Sequence, residues 1–197
     1  MDFILASTNQ NKAREVLDFF GTGHTVRTLA DIGYNEEIIE HGATFAENAA
    51  IKAEAIRNVV SSGFDYIIAD DSGLMIDFLD GRPGVYSARW LGDDTPYDQK
   101  NMQVIEMLKD VPEDKRTAKF VCAVACIGIM GRILTAEGVL EGRIATEPAG
   151  DKGFGYDPIF YLPDMGCTLA QLDLENKNRI SHRAIALHRL CMKFVRG

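Results

Sequence analysis

One stretch decides the fold of this chain: residues 66–77, which spell YIIADDSGLMID. Its first four residues form a short apolar run, which is typical of a buried strand. Two adjacent carboxylates, Asp70 and Asp71, follow the run directly, and a Ser-Gly pair that favours a turn comes next. Open α/β sheets bind their ligands at the ends of such strands, and hard cations such as Mg²⁺ prefer carboxylate oxygens. The stretch therefore predicts a metal site, with a plain polar turn as the alternative.

A loop with the composition of a binding element follows this stretch. Residues 81–90 spell GRPGVYSARW and contain two glycines, two arginines and two aromatic residues. Long loops of that composition bind ligands more often than they merely connect elements. We therefore expect residues 81–90 to contact a substrate.

Composition limits the classes of protein to which the chain can belong. Its 197 residues, 1–197, fit one domain, or one domain with two lobes, without a linker. A net charge of −8 argues against a general nucleic-acid-binding protein, which would show a basic face. The sequence shows neither a signal peptide nor an apolar run of about 18 residues, so we expect no membrane partner.

The four cysteines show no metal-binding or redox spacing. They are Cys122, Cys126, Cys167 and Cys191, and no two of them form a CxxC pair. This usage is typical of free thiols in a reducing compartment, so a cytoplasmic location is expected.

The N-terminal segment has the order strand, polar loop, helix. Residues 3–6 are apolar, residues 7–12 spell STNQNK, and residues 13–20 show a helical pattern. Helix N-terminal N–H groups bind phosphate, and Lys12 would add a positive charge. The GxxxxGK pattern of a Walker loop is missing. Capping of the helix by Thr8 or Asn9 remains the alternative.

A capping box marks the next helix. Thr44 and Glu47 stand at the required spacing, and the helical pattern continues to about Val60. Lys52 lies two turns into this helix, where the pattern alone favours a solvated face.

The middle of the chain predicts a helix and a strand pair. Residues 97–109 form a helix with Met102, Val104, Ile105 and Leu108 facing inward. Residues 117–129 are extended and very apolar, as in a central strand. A turn then leads into an antiparallel partner at 133–140, with a continuation at 142–146, and residues 158–162 form a further short strand.

Two later segments offer polar and aromatic groups. Residues 147–158 form a glycine-rich loop in which Phe154 or Tyr156 could stack on a base, or in which both rings pack in the core. Ser181 is a natural N-cap of the last helix. His182 and Arg183 follow it, where positive charge opposes the helix dipole. That conflict favours a ligand role, such as proton donation to an anion or a base carbonyl.

Taken together, six blocks in order resemble the inosine triphosphate pyrophosphatase family, whose members hydrolyse non-standard purine nucleoside triphosphates. The blocks are residues 7–12, 44–49 with Lys52, 68–74, 81–89, 154–158 and 181–183. Each block alone is a weak signal, but their order covers nearly the whole chain.

The resemblance implies an elongated α/β fold with a long central mixed sheet flanked by helices. It also implies two lobes with an active-site cleft between them, a homodimer and Mg²⁺ as cofactor. The implied reaction converts ITP, dITP or XTP to the monophosphate and pyrophosphate. Asp71 would be the catalytic base, and Glu40, Asp70 and Asp71 would bind the metal. The implied substrate-binding residues are Ser7, Thr8, Asn9, Gln10, Asn11, Lys12, Lys52, Ser72, Phe154, Gly155, Tyr156, Asp157, Lys177, His182 and Arg183.

Two residues depart from the family pattern. Asn11 stands where many members have glycine, and asparagine tolerates the left-handed backbone region better than most residues. Trp90 replaces a commoner Tyr or Phe. Two rival functions stay open: a nucleotide-binding sensor that does not hydrolyse its ligand, and a pyrophosphatase for modified pyrimidine or methylated nucleotides.

Overall fold

The computed structural model describes residues 1–60, 62–128 and 130–195, and within them the chain has an α/β fold. The strands are β1 (Asp2–Leu5), β2 (Thr25–Thr28), β3 (Tyr66–Ile76), β4 (Thr117–Gly128), β5 (Ile133–Ile144), β6 (Phe160–Leu162) and β7 (Cys167–Thr168). The α-helices are α1 (Gln10–Phe20), α2 (Phe45–Val59), α3 (Tyr97–Met107), α4 (Leu174–Ile180) and α5 (His182–Val195). No helix in these residues is both long and apolar enough to span a membrane.

The strands form one mixed sheet in the order β2-β1-β3-β4-β5-β6-β7. β1 pairs in parallel with both β2 and β3, so that Phe3 lies beside Val26 and Tyr66. β6 pairs antiparallel with β5 and with β7. The predicted mixed α/β sheet is therefore confirmed.

The strand that carries the two carboxylates is longer than predicted. β3 continues to Ile76, so Asp70 and Asp71 lie inside it and the predicted turn after them is wrong. The residues on both sides of the polar ones are buried, and this burial outweighs the turn preference of a Ser-Gly pair. The chain forms two compact units, and β3 passes from the first to the second between Ser72 and Gly73.

Unit 1 comprises residues 1–72, 122–138 and 181–197 and has two apolar clusters. Phe3 and Leu5 of β1 pack with α1 and α5, whereas Ile4 packs with α2. Because successive strand residues point to opposite faces, α1 and α5 cover one face of β1 and α2 covers the other.

Unit 2 comprises residues 73–121 and 139–180 and has a single apolar cluster. In α3, Val104 is fully buried and Ile105 packs at the edge of the cluster, and Leu108, which directly follows the helix, is also fully buried. Met102 is 54% exposed, so its predicted inward orientation is wrong. Residues that are two positions apart in a helix are separated by about 200° around its axis, so Met102 points away from Val104.

Several elements differ from the sequence prediction. α1 begins at Gln10, three residues earlier than expected, and α4 was not predicted at all. β5 runs without a break through the segment that was expected as a separate continuation. Ile129, the predicted last residue of the fourth strand, lies outside the described residues.

Candidate functional site

Helix α1 is capped by a side chain of the polar loop that precedes it. Asn9 Oδ1 accepts hydrogen bonds from the backbone N–H groups of Asn11 and Lys12, at 3.0 and 3.2 Å. The N-cap alternative is thus confirmed for Asn9, and Asn11 lies in the first turn of α1. Asn11 therefore does not use the left-handed backbone region that asparagine tolerates.

A small cavity of about 200 Å³ lies beside this loop in unit 1. Ser7, Thr8 and Gln10 line one part of it, and residues 34–36 line another. The hydroxyl and amide groups of Ser7, Thr8 and Gln10 are neutral hydrogen-bond donors, and phosphate oxygens accept hydrogen bonds from such groups. The cavity leaves the prediction of phosphate binding in place.

Asp70 is the centre of a buried ion network in unit 1. Its Oδ2 atom lies 3.0 Å from Lys12 Nζ and accepts hydrogen bonds from Arg183 at 3.1 and 3.2 Å. Arg183 also forms a salt bridge with the buried carboxylate of Glu15. Burial alone would raise the pKa of Asp70, but the charges of Lys12, Arg183 and Lys52 more than offset it, so the pKa lies well below its usual range. Asp70 is therefore ionised at neutral pH.

Asp71, the next residue, is held by a different set of groups. Its Oδ2 accepts a hydrogen bond from Asn48 Nδ2 at 3.0 Å, and its Oδ1 accepts one from the Ser72 N–H at 2.9 Å. Lys52 Nζ lies 3.6 Å from Asp71 Oδ1 and 3.0 Å from Glu40 Oε2. Asp71 is 8% exposed, which leaves its carboxylate close to the surface but fixed.

Lys52 is buried, so its predicted position on a solvated face is wrong. The two carboxylates that surround it come from positions 12 residues before it and 19 residues after it, and the helical pattern contains neither. A lysine enters a protein interior when charged partners compensate for lost hydration.

The predicted metal ligands divide into two sets. Glu40 and Asp71 share one cation, the ammonium group of Lys52, whereas Asp70 contacts Lys12 and Arg183. Within the described ranges, no three His, Cys, Asp or Glu side chains stand close enough together to hold a metal ion. The carboxylates nevertheless offer oxygen atoms of the type that Mg²⁺ prefers, and Asp70 Oδ1 is buried without a hydrogen-bond partner among the described residues. The type of donor atom, though not the spacing of the three side chains, therefore suits the ion.

The start of α5 carries three of the predicted groups. Ser181 Oγ accepts a hydrogen bond from the Ala184 N–H at 3.1 Å, which confirms Ser181 as the cap. His182 is buried at the first helical position. Arg183 donates to Ser72 Oγ at 3.1 Å in addition to its carboxylate partners, so its charge at a helix N-terminus is compensated by Asp70 and Glu15.

Unit 2 brings together another part of the predicted site. Asp157 Oδ2 accepts hydrogen bonds from Lys177 Nζ at 2.7 Å and from the Phe154 N–H at 2.8 Å. Lys177 Nζ also lies 4.6 Å from the centre of the half-buried Phe154 ring. The positive φ of Gly155 lets the loop turn at this point.

Tyr156 follows the core alternative. It is 3% exposed, its hydroxyl donates to the Ser87 carbonyl at 3.0 Å, and its ring packs against Tyr97. Burial raises the pKa of Tyr156. Its ring supports the loop from inside the unit.

Several buried polar residues that contact the predicted site were not predicted as part of it, among them Asn48 and Glu15. Both were detectable in principle. Asn48 precedes Lys52 by four residues, so the two lie on the same face of a helix whose neighbours on that face are apolar. Glu15 lies between Ala13 and Val16, which are both buried. A polar residue on an apolar helix face is the signal in each case.

Unit 1 of this α/β protein thus carries a carboxylate–lysine–arginine cluster, and unit 2 carries an aromatic–carboxylate–lysine cluster. The model of the Ham1 family matches residues 3–193, and this chain belongs to that family. The resemblance found in the sequence is confirmed.

Named relatives and solved structures agree with this assignment. A dITP/XTP pyrophosphatase of Bacillus subtilis (strain 168) is 49% identical over 190 residues, 95% of this chain and 93% of the relative. A dITP/XTP pyrophosphatase of Caldanaerobacter subterraneus subsp. tengcongensis is 45% identical over 188 residues, 95% of this chain and 92% of the relative. The structure of the Staphylococcus aureus Ham1 protein matches 100% of this chain and 99% of its own, with 35% identity and a TM-score of 0.85.

The ion network predicts a large loss of stability on substitution of Arg183. Arg183→Ala leaves Asp70 and Glu15 buried with less compensation, and breaking a buried ion pair from one side costs about 3–5 kcal/mol. Urea denaturation measures the change in free energy of unfolding. Arg179→Ala is the matched control, because Arg179 forms an exposed salt bridge with Glu175, which contributes less than about 1 kcal/mol. Equal stability of the two variants would contradict this account of the network.

Proposed function

We propose that this protein hydrolyses non-standard purine nucleoside triphosphates, ITP, dITP and XTP, to the monophosphate and pyrophosphate. The observation that carries the proposal is the arrangement around Asp71: a fixed, nearly buried carboxylate beside the ammonium group of Lys52, with a second lysine, Lys12, at the neighbouring Asp70. The names of the relatives, dITP/XTP pyrophosphatases, support the same reaction.

In the proposed reaction, water attacks the α-phosphorus and pyrophosphate leaves. Asp71 accepts a proton from the attacking water, since a positioned carboxylate can act as a general base. Lys12 and Lys52 offset the negative charge that grows on the transferred group and on the leaving pyrophosphate. The residues of the first loop, with Ser72, orient the phosphate chain through hydroxyl and amide groups.

Magnesium is part of this proposal. Glu40 and Asp71, which both lie beside Lys52, would hold the ion, with Asp70 as the further predicted ligand. Bound Mg²⁺ would neutralise phosphate charge and help to activate water. The support is the chemistry of the three carboxylates, since oxygen ligands suit hard cations.

Recognition of the purine is assigned to the remaining predicted residues. Phe154 would stack on the base, with Asp157 and Lys177 fixing its loop and Tyr156 supporting the loop from the core. His182 and Arg183 would donate to the oxygen at the purine 6-position. Adenine carries an amine there, and a buried donor left without an acceptor costs about 1–3 kcal/mol.

A non-hydrolysing sensor is the second candidate, but binding alone does not require the three carboxylates near phosphates. A pyrophosphatase for modified pyrimidine or methylated nucleotides is the third, and the donor pair His182 and Arg183 favours purines. We further propose a cytoplasmic homodimer, by analogy with the family and because the four cysteines are free thiols. Analytical ultracentrifugation tests the dimer.

A nucleotide panel tests the proposed function. Release of pyrophosphate is measured from ITP, dITP, XTP, GTP, ATP and dUTP, with Mg²⁺ and after chelation. We expect metal-dependent release from the first three and weak release from ATP, because adenine lacks the oxygen at position 6 that accepts from the donor pocket. Weak release from GTP is also expected, and it requires exclusion of the 2-amino group of guanine. Tight nucleotide binding without release would favour the sensor, and preferential release from dUTP would favour the third candidate.

Substitution of the proposed base separates chemistry from binding. Asp71→Asn keeps the size of the side chain but removes the proton acceptor, so turnover of ITP should fall at least about 100-fold. The dissociation constant of a non-hydrolysable ITP analogue, measured by calorimetry, should stay close to that of the unaltered protein. Asp80→Asn is the control, because Asp80 is exposed and adopts a left-handed backbone that asparagine tolerates. An Asp71→Asn protein that retains most of its turnover would overturn the assignment.

A further inference from the structure

We propose that Asn48 is a positioning residue for the reaction. Its side-chain amide fixes the carboxylate of Asp71 and the acidic loop of residues 38–42, which carries Glu40. This inference rests on the proposed function. Asn48 lies in the first turns of α2 and is fully buried. Its Nδ2 atom donates to Asp71 Oδ2 at 3.0 Å, and its Oδ1 atom accepts from the Gly42 N–H at 2.8 Å.

The two partners determine the orientation of the amide. A backbone N–H can only donate, and an ionised carboxylate can only accept, so Oδ1 must face Gly42 and Nδ2 must face Asp71. Flipping the amide would break both hydrogen bonds. The side chain therefore has one orientation, and its hydrogen bond to Asp71 fixes the orientation of that carboxylate as well.

Gly42 shows that the loop is built around Asn48. A Cβ atom at Gly42 would lie 2.7 Å from Asn48 Oδ1 and 2.7 Å from Glu47 Cβ. Only glycine allows the backbone to approach α2 closely enough to form the hydrogen bond. The close approach brings the loop, and Glu40 two residues earlier, to the helix face that also carries Lys52.

One face of α2 thus makes two contacts with the loop that carries Glu40 and two contacts with Asp71. Asn48 binds Gly42 and Asp71, and Lys52, one turn later, binds Glu40 and Asp71. Lys52 provides a positive charge beside the two carboxylates, whereas the neutral amide of Asn48 determines how the Asp71 carboxylate is oriented. Misplacement of a reacting group by about 1 Å can reduce a rate about 100-fold, so an uncharged residue that sets this direction affects turnover.

Substitution of Asn48 tests this role. Asn48→Ala removes both hydrogen bonds, and Asn48→Asp keeps the volume and the acceptor for Gly42 but removes the donor to Asp71. Partners that orient a catalytic or metal-binding side chain typically change activity 10–100-fold, so kcat for ITP should fall about 10–100-fold in both variants. Asn58→Ala is the matched control, because Asn58 is exposed on the same helix and should leave kcat unchanged.

Two further readouts distinguish positioning from a merely structural role. Calorimetry with a non-hydrolysable ITP analogue should give nearly unchanged affinity, since the lost interaction acts in the transition state. In a double-mutant cycle, Asn48→Ala should reduce the residual rate of the Asp71→Asn protein much less than it reduces the rate of the unaltered one. Circular dichroism verifies that each variant is folded, and Asn48→Asp serves where Asn48→Ala does not fold.

The outcomes separate the two proposals. If the unaltered chain releases pyrophosphate but both Asn48 variants keep its kcat, the positioning role is overturned and the proposed function stands. Equal losses in the presence and absence of the Asp71 carboxylate would also overturn it. If the unaltered chain releases no pyrophosphate, the proposed function fails and the positioning role fails with it.

Discussion

A carboxylate buried inside a strand is the constraint on which unit 1 depends. Asp70 is 1% exposed, and an isolated buried charge would be strongly unfavourable without compensation. Lys12 from α1 and Arg183 from α5 supply this compensation, and Glu15 balances the charge of Arg183. Residues from the beginning, the middle and the end of the sequence must therefore meet at one point, and the elements that carry them must pack together.

Strand geometry then separates the two adjacent acids. Successive residues of a strand point to opposite faces, so Asp70 shares the face of Ile68, which α1 and α5 cover. Asp71 shares the face of Ala69, where α2 packs and supplies Asn48 and Lys52. One acid is locked in an ion network and the other is held near the surface, which gives two identical side chains different environments.

Features with a local cause were predictable from the sequence. The capping box of Thr44 and Glu47 forms as expected, because both of its hydrogen bonds lie within one turn. The cap at Ser181 has the same origin. The strand at residue 66 was recognised from its apolar run, but its true end was not, because burial of residues beyond the polar ones decides it.

Features that depend on distant partners were not predictable. Lys52 is buried because Glu40 and Asp71 surround it, and no periodicity along α2 contains that information. For Asn48 the apolar helix face marked a buried polar residue, but its partners Gly42 and Asp71 lie outside the helix and could not be identified from the pattern. For Tyr156 the sequence left two alternatives, and only the contact between its hydroxyl and the Ser87 carbonyl decides between them.

The position of bond cleavage shows whether water activated beside Asp71 attacks the α-phosphorus of a purine triphosphate. ITP is hydrolysed in water enriched in ¹⁸O, and the products are analysed by mass spectrometry. The account predicts one ¹⁸O atom in the monophosphate and none in the pyrophosphate. Label in pyrophosphate, or release of labelled orthophosphate, would place the attack at another phosphorus and contradict the account.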